Sequence, residues 1–249
     1  MKTTYLKYFL AVFAAAALFA GCEPNCDRTL SDPNPDPTPP APPTPAYKVG
    51  DLYTKGFVKG IVVSVDETGE HGLLVSLNQC EEVWSYKVEE AMGSLPGSGA
   101  YNTFLCVQKL HDWKEYYPAF VEATKDNVGA LKNWFLPSMN ELAKLYSAYT
   151  GHETNDTEGG TGSLNSIRSP KTGPETASGS SEEQQRKDFF NKCLTDNGGD
   201  AMEDKVYWSS SENGPSIAFA FDMGTGKSID TPSDLDKRAK HMVRAMASF

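Results

Sequence analysis

Two nearly continuous apolar runs stand early in the chain, Gly60-Ile61-Val62-Val63-Ser64-Val65 and Leu73-Leu74-Val75-Ser76-Leu77. Between them lies Asp66 to Gly72, rich in turn-forming residues. β-Branched residues suit a pleated strand, so the pattern predicts a hairpin across 56–77. Neither run alternates cleanly between apolar and polar, which predicts strands buried on both faces. Gly93 to Asn102 reads as punctuation between elements. Pro118 followed by Phe120, Val121 and Ala123 predicts a short helix, because proline is tolerated in a first helical turn. Ser138 with Glu141 three residues later is a capping box. Met139, Leu142, Leu145, Tyr146 and Tyr149 then recur at helical spacing, and Thr150-Gly151 ends the helix. A second main helix is expected from Ser181 to Thr195, with Phe189, Phe190 and Leu194 as its buried side and Asn197-Gly198-Gly199 as its stop. The polar, Gly/Ser/Thr-rich segment from Gly151 to Ser181 reads as a long excursion.

The last third returns to strands. Tyr207-Trp208-Ser209-Ser210-Ser211-Glu212 leads to an alternating run, Ile217 to Met223. Alternation places Phe219, Phe221 and Met223 on one face and Ala218, Ala220 and Asp222 on the other. A Gly224-Thr225-Gly226 turn and Lys227 to Ile229 follow. The apolar terminus Met242 to Phe249 reads as a final strand tucked into the fold.

The N-terminus obeys different rules. Lys2 and Lys7 precede a short apolar stretch, Phe9 to Ala20, so residues 1–21 have the parts of a secretory signal. The stretch is shorter than the roughly 20 apolar residues a spanning helix needs. Leu18-Phe19-Ala20-Gly21-Cys22 resembles a bacterial lipobox, with Phe19 where leucine is usual, and the resemblance implies lipidation at Cys22. Residues 22–46 then form the anchor and a proline-rich stalk, with eight prolines between Ser31 and Ala46. Such a run favours extended polyproline II, and the segment after Cys22 would reach roughly 70 Å as a semi-rigid stalk. A tether with no length requirement fits the same composition. The domain proper is expected over 47–249.

The chain of 249 residues carries a formal charge of -10. Removing Lys2 and Lys7 with the signal leaves 21 basic against 33 acidic side chains. No basic stripe is visible, which argues against nucleic acid as a partner. The cysteines Cys80, Cys106 and Cys193 are an odd set in the body, so export permits a disulfide but leaves at least one free thiol. The pairing stays open.

Four motifs in order then matter together: Gly60 to Leu77, Asn133-Trp134-Phe135-Leu136-Pro137-Ser138-Met139-Asn140-Glu141-Leu142, Tyr207 to Glu212, and Val243-Arg244-Ala245. The series resembles the C-type-lectin-like domains of bacterial surface lipoproteins, including DUF1566-type domains and variable proteins of diversity-generating retroelements. That resemblance implies an α+β domain with two main helices beside a small, twisted, mostly antiparallel sheet. It also implies a ligand-facing surface in the last third. Asn213 to His241 lacks the Asn- and Tyr-heavy composition of diversified surfaces. The fold also resembles the formylglycine-generating enzyme group, whose reactive cysteine pair has no counterpart motif here.

Trp208, Glu212 and Arg244 are read as structural residues: an indole in the core, and a Glu212–Arg244 ion pair. The serines of 209–211 are read as turn-fixing, since no G-x-S-x-G context surrounds them. The histidines are scattered and no cofactor or metal is expected. Asp230, Asp234 and Asp236 read as a solvated acidic loop rather than a calcium site. Asn213, Asp222, Lys227 and Asp230 are the expected exposed ligand contacts. The leading expectation is a non-catalytic binding module, lipid-anchored at the cell envelope, on the outer membrane and surface-exposed, for a glycan or protein. The alternative is a structural or assembly subunit of an envelope complex.

Overall fold

The structure is a computed structural model that describes residues 46–90, 98–127, 133–152, 179–229 and 231–249. Cys22, the stalk, most of the 151–181 excursion and Asp230 lie outside the described residues.

The hairpin expected over 56–77 is the pair β2 (Val58–Val65) and β3 (Gly72–Ser76), with β1 (Leu52–Lys55) covering the outer edge of β2. Ile61, Val62, Leu74 and Val75 are fully buried. β4 (Cys80–Val83) then leaves this sheet. α1 (Gly99–Lys109), α2 (Trp113–Tyr116) and α3 (Pro118–Thr124) follow, then β5 (Trp134–Phe135) and α4 (Met139–Thr150). α5 (Gly179–Thr195), β6 (Val206–Glu212), β7 (Ala218–Asp222), β8 (Lys227–Ser228), α6 (Pro232–Leu235), β9 (Lys240–Val243) and β10 (Met246–Ser248) complete the domain.

The architecture is α+β, with two five-stranded sheets where one small sheet was expected. One sheet runs β1-β2-β3-β10-β5 and the other β4-β9-β6-β7-β8. Among the described strands, the pairings are antiparallel except that of β6 with β9. The C-terminal run read as one strand is two. β9 pairs with β4 in one sheet, and β10 pairs with β3 in the other. The chain therefore changes sheets at Arg244–Ala245, beside the β3–β4 crossing, where Ser76 N–H donates to the Ala245 carbonyl at 2.9 Å.

Strand alternation feeds two cores. Val62, Leu74, Trp134, Trp208, Ala220, Val243 and Ala247 pack with α1 and α3 through Leu105, Cys106, Phe120 and Ala123. Ile61, Val75, Phe135, Tyr207, Phe221, Met242 and Met246 pack with α4 and α5 through Leu142, Leu145, Phe190 and Leu194. Adjacent residues on one strand thus serve opposite cores, as the two-residue period of a strand requires.

α4 forms as its capping box predicts. Ser138 Oγ accepts from Glu141 N–H at 3.4 Å, Glu141 Oε2 accepts from Ser138 N–H at 2.7 Å, and Gly151 closes the helix at a left-handed φ of 79°. Glu141 Oε2 also accepts from Gly99 N–H at 2.9 Å, joining the start of α4 to the start of α1. A Cβ at Gly99 would lie 2.4 Å from the Leu136 carbonyl, so only glycine permits that approach.

Two sequence expectations change. Gly93 to Asn102 was read as punctuation, but α1 begins at Gly99, capped by Ser98 Oγ accepting from Tyr101 N–H at 3.2 Å. On α5, Phe190 and Leu194 are buried, as read, while Phe189 is 50% exposed. Neighbouring residues on a helix point about 100° apart, so Phe189 falls off the stripe that Phe190 and Leu194 share.

Candidate functional site

β6 carries the Tyr207 to Glu212 motif, and its pairing with β7 jumps from Trp208↔Ala220 to Glu212↔Ala218. The irregularity frees backbone groups at the serines for other elements. The Ser209 carbonyl accepts from Trp84 Nε1 at 2.8 Å, and Ser210 N–H donates to the Pro137 carbonyl at 2.7 Å. Ser209 Oγ donates to the Phe219 carbonyl at 2.8 Å, and Ser210 Oγ accepts from Asn102 Nδ2 at 3.0 Å. Trp208 is fully buried and donates from Nε1 to the Glu82 carbonyl at 3.0 Å.

Glu212 and Arg244 are both buried, but they do not pair with each other. Glu212 Oε1 accepts from Lys237 Nζ, and the two side chains are 0% and 1% exposed. Lys237 Nζ also donates to the Glu89 and Pro215 carbonyls at 2.8 and 3.0 Å. Its ammonium stands 4.7 Å from the centroid of the Trp84 ring. Three acceptors and an aromatic face replace the water this cation gives up. Burial still pulls Lys237 below its ordinary pKa, while Glu212 pushes it back up.

Arg244 occupies the corner between the sheets instead. It donates to the carbonyls of Ser76 (3.0 Å), Leu77 (2.8 Å) and Asp200 (2.8 Å), to Gln79 Oε1 (3.0 Å) and to the Met202 sulfur (3.4 Å). A guanidinium fork suits such a crowd of carbonyl acceptors better than a single carboxylate. Burial lowers its pKa to about 10, leaving it charged at neutral pH.

Among the described residues, the expected ligand contacts do not all converge. Asn213 is exposed in the β6–β7 connection, its N–H donating to the Ile217 carbonyl at 2.9 Å. Asp222 and Lys227 are register partners at the other end of β7. Ile217 and Asp222 are five residue steps apart, roughly 16 Å at the usual strand rise. Asp222 is also committed to the turn: its carboxylate accepts from Gly224 N–H at 2.8 Å and Thr225 Oγ1 at 2.7 Å. The open face expected on this strand is closed, because Ala218 and Ala220 are as buried as Phe221 and Met223.

The acidic loop nearby is locally paired. Asp236 accepts from Arg238 Nη2 at 2.7 Å and Nε at 2.9 Å. The Arg238 side chain, then its backbone N–H, holds the Asp236 carboxyl down to about 2 from an ordinary 3.8. The folded value is the lower one, so this support is complete above the ordinary value and is lost as pH falls toward 2. Following the Asp236 carboxyl carbon by NMR from pH 5 to pH 1.5 is expected to show that depressed midpoint, and Arg238→Gln, which keeps the backbone N–H donor, is expected to raise it part of the way toward the ordinary value.

A concave site lies elsewhere, between α1, α3 and β5. It encloses ≈ 700 Å³, a volume in the range of ligand sites. Phe104, Val107, Trp113, Val121 and Trp134 supply apolar wall, and Lys114 and Lys125 are the titratable groups among the described lining residues. The sequence reading missed it because its aromatics are scattered over α1, the start of α2 and β5, and each by itself resembles a core residue. At the rim, Phe104 stacks on Tyr101, which lies outside the lining, at 6.5 Å between centroids, each residue 49% exposed.

Cys80, Cys106 and Cys193 are free thiols. Burial, with the Glu122 carboxylate second, raises Cys80 to about 11, and burial raises Cys106 further. Among the described residues, no helix is long and apolar enough to cross a membrane, and no group of His, Cys, Asp and Glu is placed to hold a metal.

No protein-family model and no curated protein matches the chain. The crystal structure of a fimbrial protein from Bacteroides ovatus is similar over 72% of this chain, at 14% identity and a TM-score of 0.46. This chain spans 36% of that protein's length.

Proposed function

We propose that the chain is a non-catalytic binding module of the bacterial cell envelope, held at the outer membrane by a lipid on Cys22. Its C-type-lectin-like domain takes a glycan or protein ligand in the cleft between α1, α3 and β5. The cleft is the observation that carries this reading: two indoles, two phenyl rings and two ammonium groups line one cavity of ligand size. Aromatic walls with amines at the edge favour binding over acid–base chemistry. The β6–β8 surface of Asn213, Asp222 and Lys227, with Asp230, is the competing placement of the ligand.

A screen of the full chain in non-ionic detergent against a glycan array and envelope or host surface proteins tests both placements. Any ligand found is expected to lose about tenfold or more in affinity with Trp113→Ala. Asn213→Ala and Lys227→Ala are expected to leave it within about twofold, as single exposed rim residues do. The opposite pattern removes the cleft from the account.

An assembly subunit is the second reading, and one observation favours it. The Tyr101–Phe104 pair continues the apolar surface beyond the cleft, as protein interfaces do.

A further inference from the structure

We infer that the ligand of the α1/α3/β5 cleft is a protein segment rather than a glycan: an extended peptide with an aromatic or branched apolar anchor and a nearby carboxylate. This rests on the binding reading above and narrows it.

The first ground is how the cleft's polar groups are already used. Asn127 Nδ2 donates to the Trp134 carbonyl at 2.9 Å, and Asn127 Oδ1 accepts from Trp134 N–H at 2.8 Å. Thr103 Oγ1 accepts from Leu136 N–H at 3.1 Å, and Thr124 Oγ1 donates to the Phe120 carbonyl at 2.7 Å. The amide and both hydroxyls thus hold the cleft's own backbone. A sugar brings several hydroxyls, and each one buried without a partner costs free energy. The apolar anchor side chain of a peptide asks for none of these bonds and buries its surface against Trp113, Trp134, Phe104 and Val107, with the peptide's main-chain N–H and C=O groups left to water at the open mouth.

Charge is the second ground. The chain is strongly acidic, yet the titratable groups among the described lining residues are both lysines. Lys125 is shared with Glu122 at 2.8 Å. Lys114 has no carboxylate partner among the described residues and stands 5.7 Å from the Trp113 ring centroid. An ammonium beside an aromatic wall complements a ligand that carries an acid next to its apolar anchor.

Extent is the third. The Tyr101–Phe104 pair carries the apolar surface past the mouth of the cleft. A compact ligand would leave that surface bare, whereas a chain running out of the cleft covers it. Exposed aromatics of this kind are the residues that anchor protein interfaces.

The experiment is panning of a random heptapeptide display library on the full chain in non-ionic detergent. Enriched peptides are then synthesised and their affinities measured by fluorescence polarisation, and a glycan array is run in parallel. The expected result is a shared pattern of one aromatic or branched apolar residue within two positions of Asp or Glu. Binding is expected to weaken about tenfold with Lys114→Glu and less with Lys114→Gln, as loss and reversal of a charge contact do. Both changes are at an exposed side chain and leave the fold intact, which far-UV circular dichroism checks. Enriched peptides without an acid, or insensitive to Lys114→Glu, overturn the inference. A glycan hit that depends on Trp113, with no peptide enriched, overturns it while leaving the binding reading standing. No cleft-dependent ligand of either class overturns both.

Discussion

Lys237→Met is expected to cost about 3–5 kcal/mol of folding stability, as removal of one partner from a buried ion pair does. The substitution leaves the Glu212 carboxylate in the core without its cation. It also takes a donor from the Glu89 and Pro215 carbonyls and a cation from the Trp84 ring. Methionine fills much of the volume, so the loss is electrostatic more than steric. The double variant Lys237→Met with Glu212→Leu is expected to recover part of the stability, because two apolar groups need no mutual pairing. Recovery should be incomplete, since the two carbonyls stay short of a donor. Chemical denaturation of the single and double variants checks this. Equal stability of Lys237→Met and the parent chain would remove the node from the account.

Arg244→Met is expected to lose a similar amount, about 3–5 kcal/mol, through a different route. Its guanidinium ties β3, the Gln79 segment and Asp200 to the point where the C-terminal chain changes sheets. Losing it leaves carbonyl acceptors at a sheet corner without their donor. The discriminating measurement is a double-mutant cycle with Glu212→Gln. Separate partners predict additive losses, to within about 0.5 kcal/mol. A large coupling energy would restore the Glu212–Arg244 pair expected from the sequence.

What the sequence made legible follows from how far apart the interacting groups lie. The α4 capping box is readable because Ser138 and Glu141 are three residues apart and satisfy each other locally. The β2–β3 hairpin is readable because its strands are apolar runs flanking one turn. α1 is not readable, because its buried side includes Asn102 and Thr103. Those residues are buried because partners on other elements satisfy them: Asn102 Nδ2 donates to Ser210 Oγ, and Thr103 Oγ1 accepts from Leu136 N–H.

The burial of Glu212 and Arg244 was foreseeable from the motifs, and their partners were not. Lys237 sits in the charged run Asp234 to Arg238, which by composition reads as a solvated loop. Arg244 chooses main-chain carbonyls, which every residue carries and no sequence pattern marks. The C-terminal run misled for a related reason: apolarity predicts strand but not the sheet to which each half belongs. The cleft escaped because four elements must pack before Phe104, Trp113 and Trp134 line one cavity.

The chain's four tryptophans divide between these two places, which makes them reporters for the central claim. Trp84 and Trp208 are fully buried, with their indole N–H groups bonded to the Ser209 and Glu82 carbonyls. Trp113 and Trp134 line the cleft. The most direct measurement is therefore the indole region of a ¹H–¹⁵N correlation spectrum, recorded while a peptide recovered by panning is added to the full chain. Ligand in the cleft moves the Trp113 and Trp134 resonances in a saturable way and leaves those of Trp84 and Trp208 in place. Saturable binding that leaves all four indoles unmoved, while shifting the backbone amides of Asn213 and Lys227, would contradict the account.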